Sequence, residues 1–348
     1  MMRRISQLSF AVVWRGSLLC FLLSPFAAHA QSTDSLVNST GQVSAATALG
    51  RLNEFVLDGT ESCVEIKKGS SSIRPSLTAV INAANFIPRI APGGLAVLWG
   101  QRFVEEGEEY AATGLPLSRL LGRVQVLWRA ADWDGTISGS YNRCGWRAAP
   151  LLYVGPNQIN FQVPMFFYKP FSEEDGAGYS RFANFEGREY EFIVLAVLRD
   201  GLTKVSSNTI KLKVNSHAPE FFTNALYEYP QWQPPVTLQP GQVLVSLITG
   251  LGKISDHEPE GYPTPALPWT TSYPTFVEYR WSNGSRALRT GYLFAGRAPG
   301  LVGVDQVNFV MPTLPLPSGQ IVALHICTGS DNGDRCSERG VLYQYQQP

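Results

Sequence analysis

From residue 81 onward the chain alternates apolar and polar positions with a period of two, in short runs broken by glycine, proline and asparagine. Leu95, Val97 and Trp99 alternate with smaller residues, and Val243, Val245 and Leu247 do the same later in the chain. Val124, Val126 and Trp128 form another such run. Ile159, Phe161 and Val163 alternate against Gln158, Asn160 and Gln162, and Pro164 ends the segment. A period of two is that of a half-buried β-strand. Further strands are expected over 191–198 and 209–214, with a turn at Asp200-Gly201 between them. Another pair is expected over 321–327 and 341–345, around a turn at 331–333. With 32 Gly and 24 Pro the chain is rich in turns, which suits short strands better than long helices.

The runs repeat. Ala91-Pro92-Gly93-Gly94-Leu95 is answered by Gln239-Pro240-Gly241-Gln242-Val243, and Gln158-Ile159-Asn160-Phe161 by Gln306-Val307-Asn308-Phe309. Pro92 to Pro240 and Gln158 to Gln306 are the same 148 positions apart, so one structural unit has been duplicated. The expected fold is all-β, two tandem immunoglobulin-like β-sandwich domains related by internal duplication, with a small barrel as the other all-β closure. The first would occupy 81–215 and the second 216–348, with a joint near 215–219.

Ahead of them, residues 1–30 have the layout of a signal peptide. Arg3, Arg4 and Arg15 precede an apolar run over 18–28, and Ala28-His29-Ala30 fits the small-x-small cleavage pattern. The run is short for a bilayer span and contains Pro25, so cleavage before Gln31 is expected rather than an uncleaved anchor. Residues 31–80 are expected to be a flexible leader with possible short strands around 55–57 and 63–66. No later segment is long and apolar enough to span a membrane as a helix. The sequence therefore predicts an exported protein in the periplasm, at the cell surface or outside the cell. Lys+Arg and Asp+Glu are 28 each, which supplies no basic face for nucleic acid. Four cysteines follow residue 30, an even number that suits disulfides in an oxidising compartment. Cys327 and Cys336 flank a polar turn and are expected to pair, leaving Cys63 for Cys144. The alternative of a metal site lacks any CxxC or CxxH spacing, and no cofactor is expected.

The segments at 81–86, 90–93, 149–154 and 158–164, with 218–222, 249–252 and 298–309, resemble a C-terminal domain found in large sets of secreted acidobacterial proteins. The resemblance covers about residues 80–345. It implies export, β-sandwich modules and use at the surface or outside the cell, and no reaction. The insert at 132–146 and the loop at 166–185 depart from its pattern.

Candidate chemistry is sparse. Trp128, Trp133 and Trp146, with Tyr141, Asp132 and Asp134, could form an aromatic platform with carboxylates for a sugar, or a loop pinned by its own rings. The recurring Gln-x-Asn amides could hold sugar hydroxyls or fix loop backbone. Tyr227, Tyr229 and Trp232 among prolines could be a partner strip or a packed edge. No GxSxG, HExxH or P-loop pattern occurs. The expected role is a non-enzymatic binding or assembly module, with carbohydrate or an envelope or extracellular protein as partner. The rivals are a polysaccharide-acting hydrolase, which requires converging carboxylates, and a purely structural spacer.

Overall fold

The computed structural model describes residues 74–131, 146–164, 188–197, 204–252, 260–265, 269–281, 286–329 and 334–347, in which every regular element is a strand. The first ten are β1 (Ser76–Asn82), β2 (Leu95–Gln101), β3 (Tyr110–Ala111), β4 (Val124–Ala130), β5 (Arg147–Ala148), β6 (Leu151–Val154), β7 (Gln158–Gln162), β8 (Arg188–Val197), β9 (Lys204–Ser206) and β10 (Ile210–Val214). They form two antiparallel sheets, β1-β2-β7-β6-β3 and β10-β8-β4-β5, with β9 also on β8. One sheet thus runs first, second, fifth and fourth long strand, and the other third, sixth and seventh. That is the strand order of an immunoglobulin-like sandwich, not of a barrel. β1 begins at Ser76, ahead of the boundary the repeat suggested, because the repeated motifs themselves start only at Ile81.

The same plan follows in β11 (Glu220–Tyr229), β12 (Val243–Thr249), β13 (Thr275–Trp281), β14 (Arg286–Thr290), β15 (Phe294–Arg297), β16 (Asp305–Val310), β17 (Ile321–Thr328), β18 (Arg335–Cys336) and β19 (Val341–Gln344). Here the sheets are β11-β12-β16-β15 and β14-β13-β17-β18, with β19 also on β17. β2 and β12 are offset by the sequence repeat, and each is preceded by its Pro-Gly turn. Gly93 and Gly241 in those turns have φ of 73° and 84°, a region that penalises any side chain. In both copies the chain before the turn crosses to the opposite sheet. Ile90 bridges Val214 in parallel, and Leu238, at the equivalent position, bridges Tyr345.

Each sandwich has its own apolar core. The first gathers Leu98, Val126, Ile159, Phe161, Phe192 and Val194, all essentially inaccessible. The second gathers Leu244, Ile248, Tyr279, Phe309, Leu324 and Ile326. Each fully buried large side chain contributes about 1.5–3 kcal/mol relative to exposure. Trp128, the fifth residue of β4, lies in the first core with its ring 6.2 Å from that of Tyr190. A buried tryptophan on the third strand is a hallmark of immunoglobulin domains. Tyr279, the fifth residue of β13, takes that place in the second copy.

The alternation is correct in period but not everywhere in phase. Ile159 and Phe161 face inward as expected. On β2 the core residues are Ala96 and Leu98, so Leu95, Val97 and Trp99 share the outer face. On β12 they are Leu244 and Ile248, which places Val243, Val245 and Leu247 outside. Both faces of these strands carry apolar residues, so period alone does not select the core face.

The joint between the sandwiches is buried and polar. Ser216, His217 and Ala218 are covered, and the Ala218 N–H donates to the Gly250 carbonyl at 2.7 Å. Gly250 has φ 92°, and a Cβ there would lie 2.1 Å from the Ala218 oxygen, so only glycine fits. The Leu95 N–H donates to Thr249 Oγ1 at 2.7 Å, and the Gly261 N–H donates to Gln162 Oε1 at 2.7 Å. Arg89 reaches across from the first sandwich and donates to Glu220 and Glu338 at 3.1 Å each, and to the Cys336 carbonyl at 2.9 Å.

Candidate binding surface

Trp128 is 3% exposed and spent on core packing, so it leaves the aromatic platform that the sequence suggested. Trp146 is half-buried, packed against Leu127, Ala148, Ile193 and Leu195 on the outer side of the β4-β8 sheet. The Arg129 guanidinium lies 4.3 Å from its ring centroid, and Arg129 also pairs with Glu191 at 2.8 Å. Asp132, Trp133, Asp134 and Tyr141 lie outside the described residues, as do Cys63 and Cys144. Cys327 and Cys336 are paired residues on β17 and β18 and form the expected disulfide. Their sulfurs and the Glu278 carboxylate form a metal-sized group among the described residues. The thiols are consumed by the bond, however, and Glu278 accepts from Arg280 at 2.7 Å and Arg289 at 2.6 Å.

The aromatic surface that the structure does build is on the second sandwich. Directly paired residues in a sheet share a face. Tyr229 is opposite Val243, which is opposite Val310. Tyr227 is opposite Val245, then Asn308, then Phe294. Leu247 is opposite Gln306. The outer face of β11-β12-β16-β15 thus carries rings at its β11 edge, aliphatic residues in the middle, two amides beyond and the Phe294 ring on β15. A tight return completes it. The Trp232 N–H donates to the Glu228 carbonyl and the Glu228 N–H to the Gln233 carbonyl, each at 2.8 Å. That turn holds Trp232 at φ 55°, a costly conformation for a bulky residue. The Trp232 ring is 6.3 Å from both Tyr227 and Tyr229, nearly perpendicular to the latter. Tyr227 is only 6% exposed and forms a floor, whereas Tyr229 and Trp232 are 54% and 53% exposed.

The amides follow the repeat in detail. Gln306 Nε2 donates to Asn308 Oδ1 at 2.8 Å, and Gln158 Nε2 donates to Asn160 Oδ1 at 2.7 Å. All four are half-buried on outer faces. Gln162 differs: it is buried, donates to the Gly93 carbonyl and accepts from Gly261, and so fixes loop backbone. One amide of the motif is therefore structural, and two face outward.

Among the described residues two carboxylate pairs share an arginine: Glu278 and Asp334 on Arg289, and Glu220 and Glu338 on Arg89. Burial pushes the Glu220 carboxyl up to about 7, against the lowering effects of the Glu338 N–H and Arg89. Its side chain is inaccessible, and both oxygens accept protein donors. A raised carboxyl that no substrate can reach is a joint rather than an acid catalyst.

These features define a pair of immunoglobulin-like sandwiches, the second with an exposed aromatic and amide face. No protein-family model matches the chain, and no curated protein matches it. Solved structures similar to it include the FN1–FN3 domains of chicken CNTN1, at 10% identity and TM-score 0.20, covering 78% of this chain and 67% of that one. Dimeric latent PorU from Porphyromonas gingivalis matches at 11% identity and TM-score 0.24, over 79% of this chain and 24% of that one. The three N-terminal domains of the bacteriophage RB49 highly immunogenic outer capsid protein match at 10% identity and TM-score 0.19, over 79% and 59%. Likeness at this level adds nothing to the fold assignment, which rests on the strand order.

Proposed function

We propose that the protein is an exported, non-catalytic binding module that attaches to cell-envelope or extracellular material through the outer face of β11-β12-β16-β15. The observation that carries this reading is the Tyr229–Trp232 pair. Two large rings are held in the open on a turn that fixes Trp232 in a strained conformation, while the core beneath is fully packed. A spacer has no use for exposed rings held at such a cost. Export is supported by the signal-like start and by a disulfide formed between Cys327 and Cys336. The buried, fully bonded state of Glu220 favours binding over hydrolysis.

Co-sedimentation with isolated envelopes and extracellular matrix of the producing cells tests the reading. The purified chain is expected to pellet with one of these fractions, and the Tyr229→Ala/Trp232→Ala variant to stay in the supernatant with unchanged thermal stability. If both proteins pellet equally, or neither does, the surface is not a binding site.

A further inference from the structure

We infer that the ligand of this face is a neutral saccharide chain, an inference that rests on the binding reading above and names its chemistry. The argument is one of matching. From Tyr229 and Tyr227 across to Gln306 and Asn308 the outer register carries no charged side chain, and the acidic residue further along this face, Glu220 opposite Thr249, is buried at the joint. An anionic or cationic polymer would find no counter-charge there, and its charges would be desolvated without return. A purely apolar partner would satisfy the rings but cover the amides. In the Gln306–Asn308 pair only one donor and one acceptor are used internally. Gln306 Oε1, its second N–H and both Asn308 N–H groups remain, and burying them unmet costs about 1–3 kcal/mol each. A pyranose meets both demands, since its C–H faces stack on Tyr229 and Trp232 and its hydroxyls bond the amides. The rings and the amides are two strand spacings apart, about 10 Å, so successive residues of one chain can occupy both ends.

The duplication offers independent support. On the first sandwich the Gln158–Asn160 pair makes the same internal hydrogen bond on the same outer face. There Trp99 is directly opposite Gln158, and Tyr153 is directly opposite Asn160. In the second sandwich the equivalent strand β15 sets Phe294 opposite Asn308, so an aromatic residue adjoins the paired amides on both outer faces, and the further rings come from β2 in the first copy and from β11 in the second. The Tyr153 hydroxyl is engaged by Glu109, so the second sandwich carries the more open of the two surfaces.

The test is binding of the labelled whole chain to an array of neutral and uronic-acid-containing oligosaccharides, followed by titration with the best neutral binder. Binding to neutral members and not to the uronates is expected. Trp232→Ala and Asn308→Ala are each expected to weaken it about tenfold, the size of one lost stack or hydrogen-bonded contact. Their melting curves should match that of the unsubstituted chain. Asn308→Gln, which keeps an amide, should retain part of the affinity that Asn308→Ala loses. Absence of neutral binders, equal binding to uronates, or indifference to both alanine substitutions overturns the saccharide assignment. If envelope co-sedimentation still depends on Trp232 in that case, the surface binds something else and only the ligand class falls. If co-sedimentation fails as well, the binding reading falls with it.

Discussion

Glu220 at the joint gives the protein a pH dependence whose sign is unusual for a carboxylate paired with arginine. Burial raises its folded-state value to about 7 from an ordinary 4.5. In the unfolded chain the carboxyl ionises first as pH rises, while the folded protein still holds its proton. Between these two values the unfolded state is therefore favoured progressively. The contribution to stability is complete below 4.5 and is lost by the time pH has passed 7. The difference amounts to about 3 kcal/mol, an upper figure because Arg89 is partly exposed and able to follow the charge. Glu220→Gln keeps the shape and an acceptor for Arg89 but cannot ionise. Urea unfolding followed by tryptophan fluorescence, on both proteins at steps from about pH 4 to pH 8, isolates this group, because all other titrations cancel in the difference. Relative to wild type, the variant is expected to gain about 3 kcal/mol across that range. A wild type that gains on the variant as pH rises would mean that the Arg89 pair outweighs burial, and the reasoning would be refuted.

Three further substitutions probe the framework. Arg297 and Asp305 form a fully buried ion pair, with Arg297 also donating to the Gly252 carbonyl. Arg297→Ala should cost about 3–5 kcal/mol in a denaturation experiment, since it strands a buried carboxylate. Replacing Cys327 and Cys336 together by alanine opens a loop of sequence separation 9 and should lower stability by about 2–3 kcal/mol, with no further change on adding reductant to the variant. Trp128→Ala should cost about 3–5 kcal/mol yet leave envelope co-sedimentation intact wherever the variant is folded, the opposite of what a platform residue would do.

Much of this architecture is legible in the residues. The repeat at a constant spacing gave the tandem plan, and the Gly-Pro punctuation gave the short strands. The buried role of Trp128 was also visible, because it continues the Val124, Val126 alternation that places it on the inner face of β4. Reading it with its tryptophan neighbours across 132–146 favoured proximity in sequence over phase. The outward turn of Leu95, Val97 and Trp99 was not legible. Their neighbours Ala96 and Leu98 are apolar too, so which parity faces the core is decided by the partner sheet. That same double-sided apolarity was nonetheless a signal. A strand with hydrophobic residues on both parities has either a cover or a ligand for its second face. The openness of Trp232 was beyond sequence, since it depends on a five-residue return that fixes its backbone.

The parallel crossing of Ile90 beside Val214 has a mechanical consequence. Near its end, the first sandwich's chain passes the segment that joins β1 to β2, with the Asn215 N–H bonded to the Ile90 carbonyl at 3.0 Å. The second repeats this at Leu238, bonded to both Gln344 and Gln346 at 2.9 Å. Tension applied through the two ends of such a unit drags these neighbouring segments in opposite directions along their length. The crosslinking bonds are then loaded in shear, whereas an antiparallel hairpin peels open one bond at a time. A protein tethered at one end and gripped at the other would therefore resist extension at two serial clamps, each set at the point where its chain changes sheets.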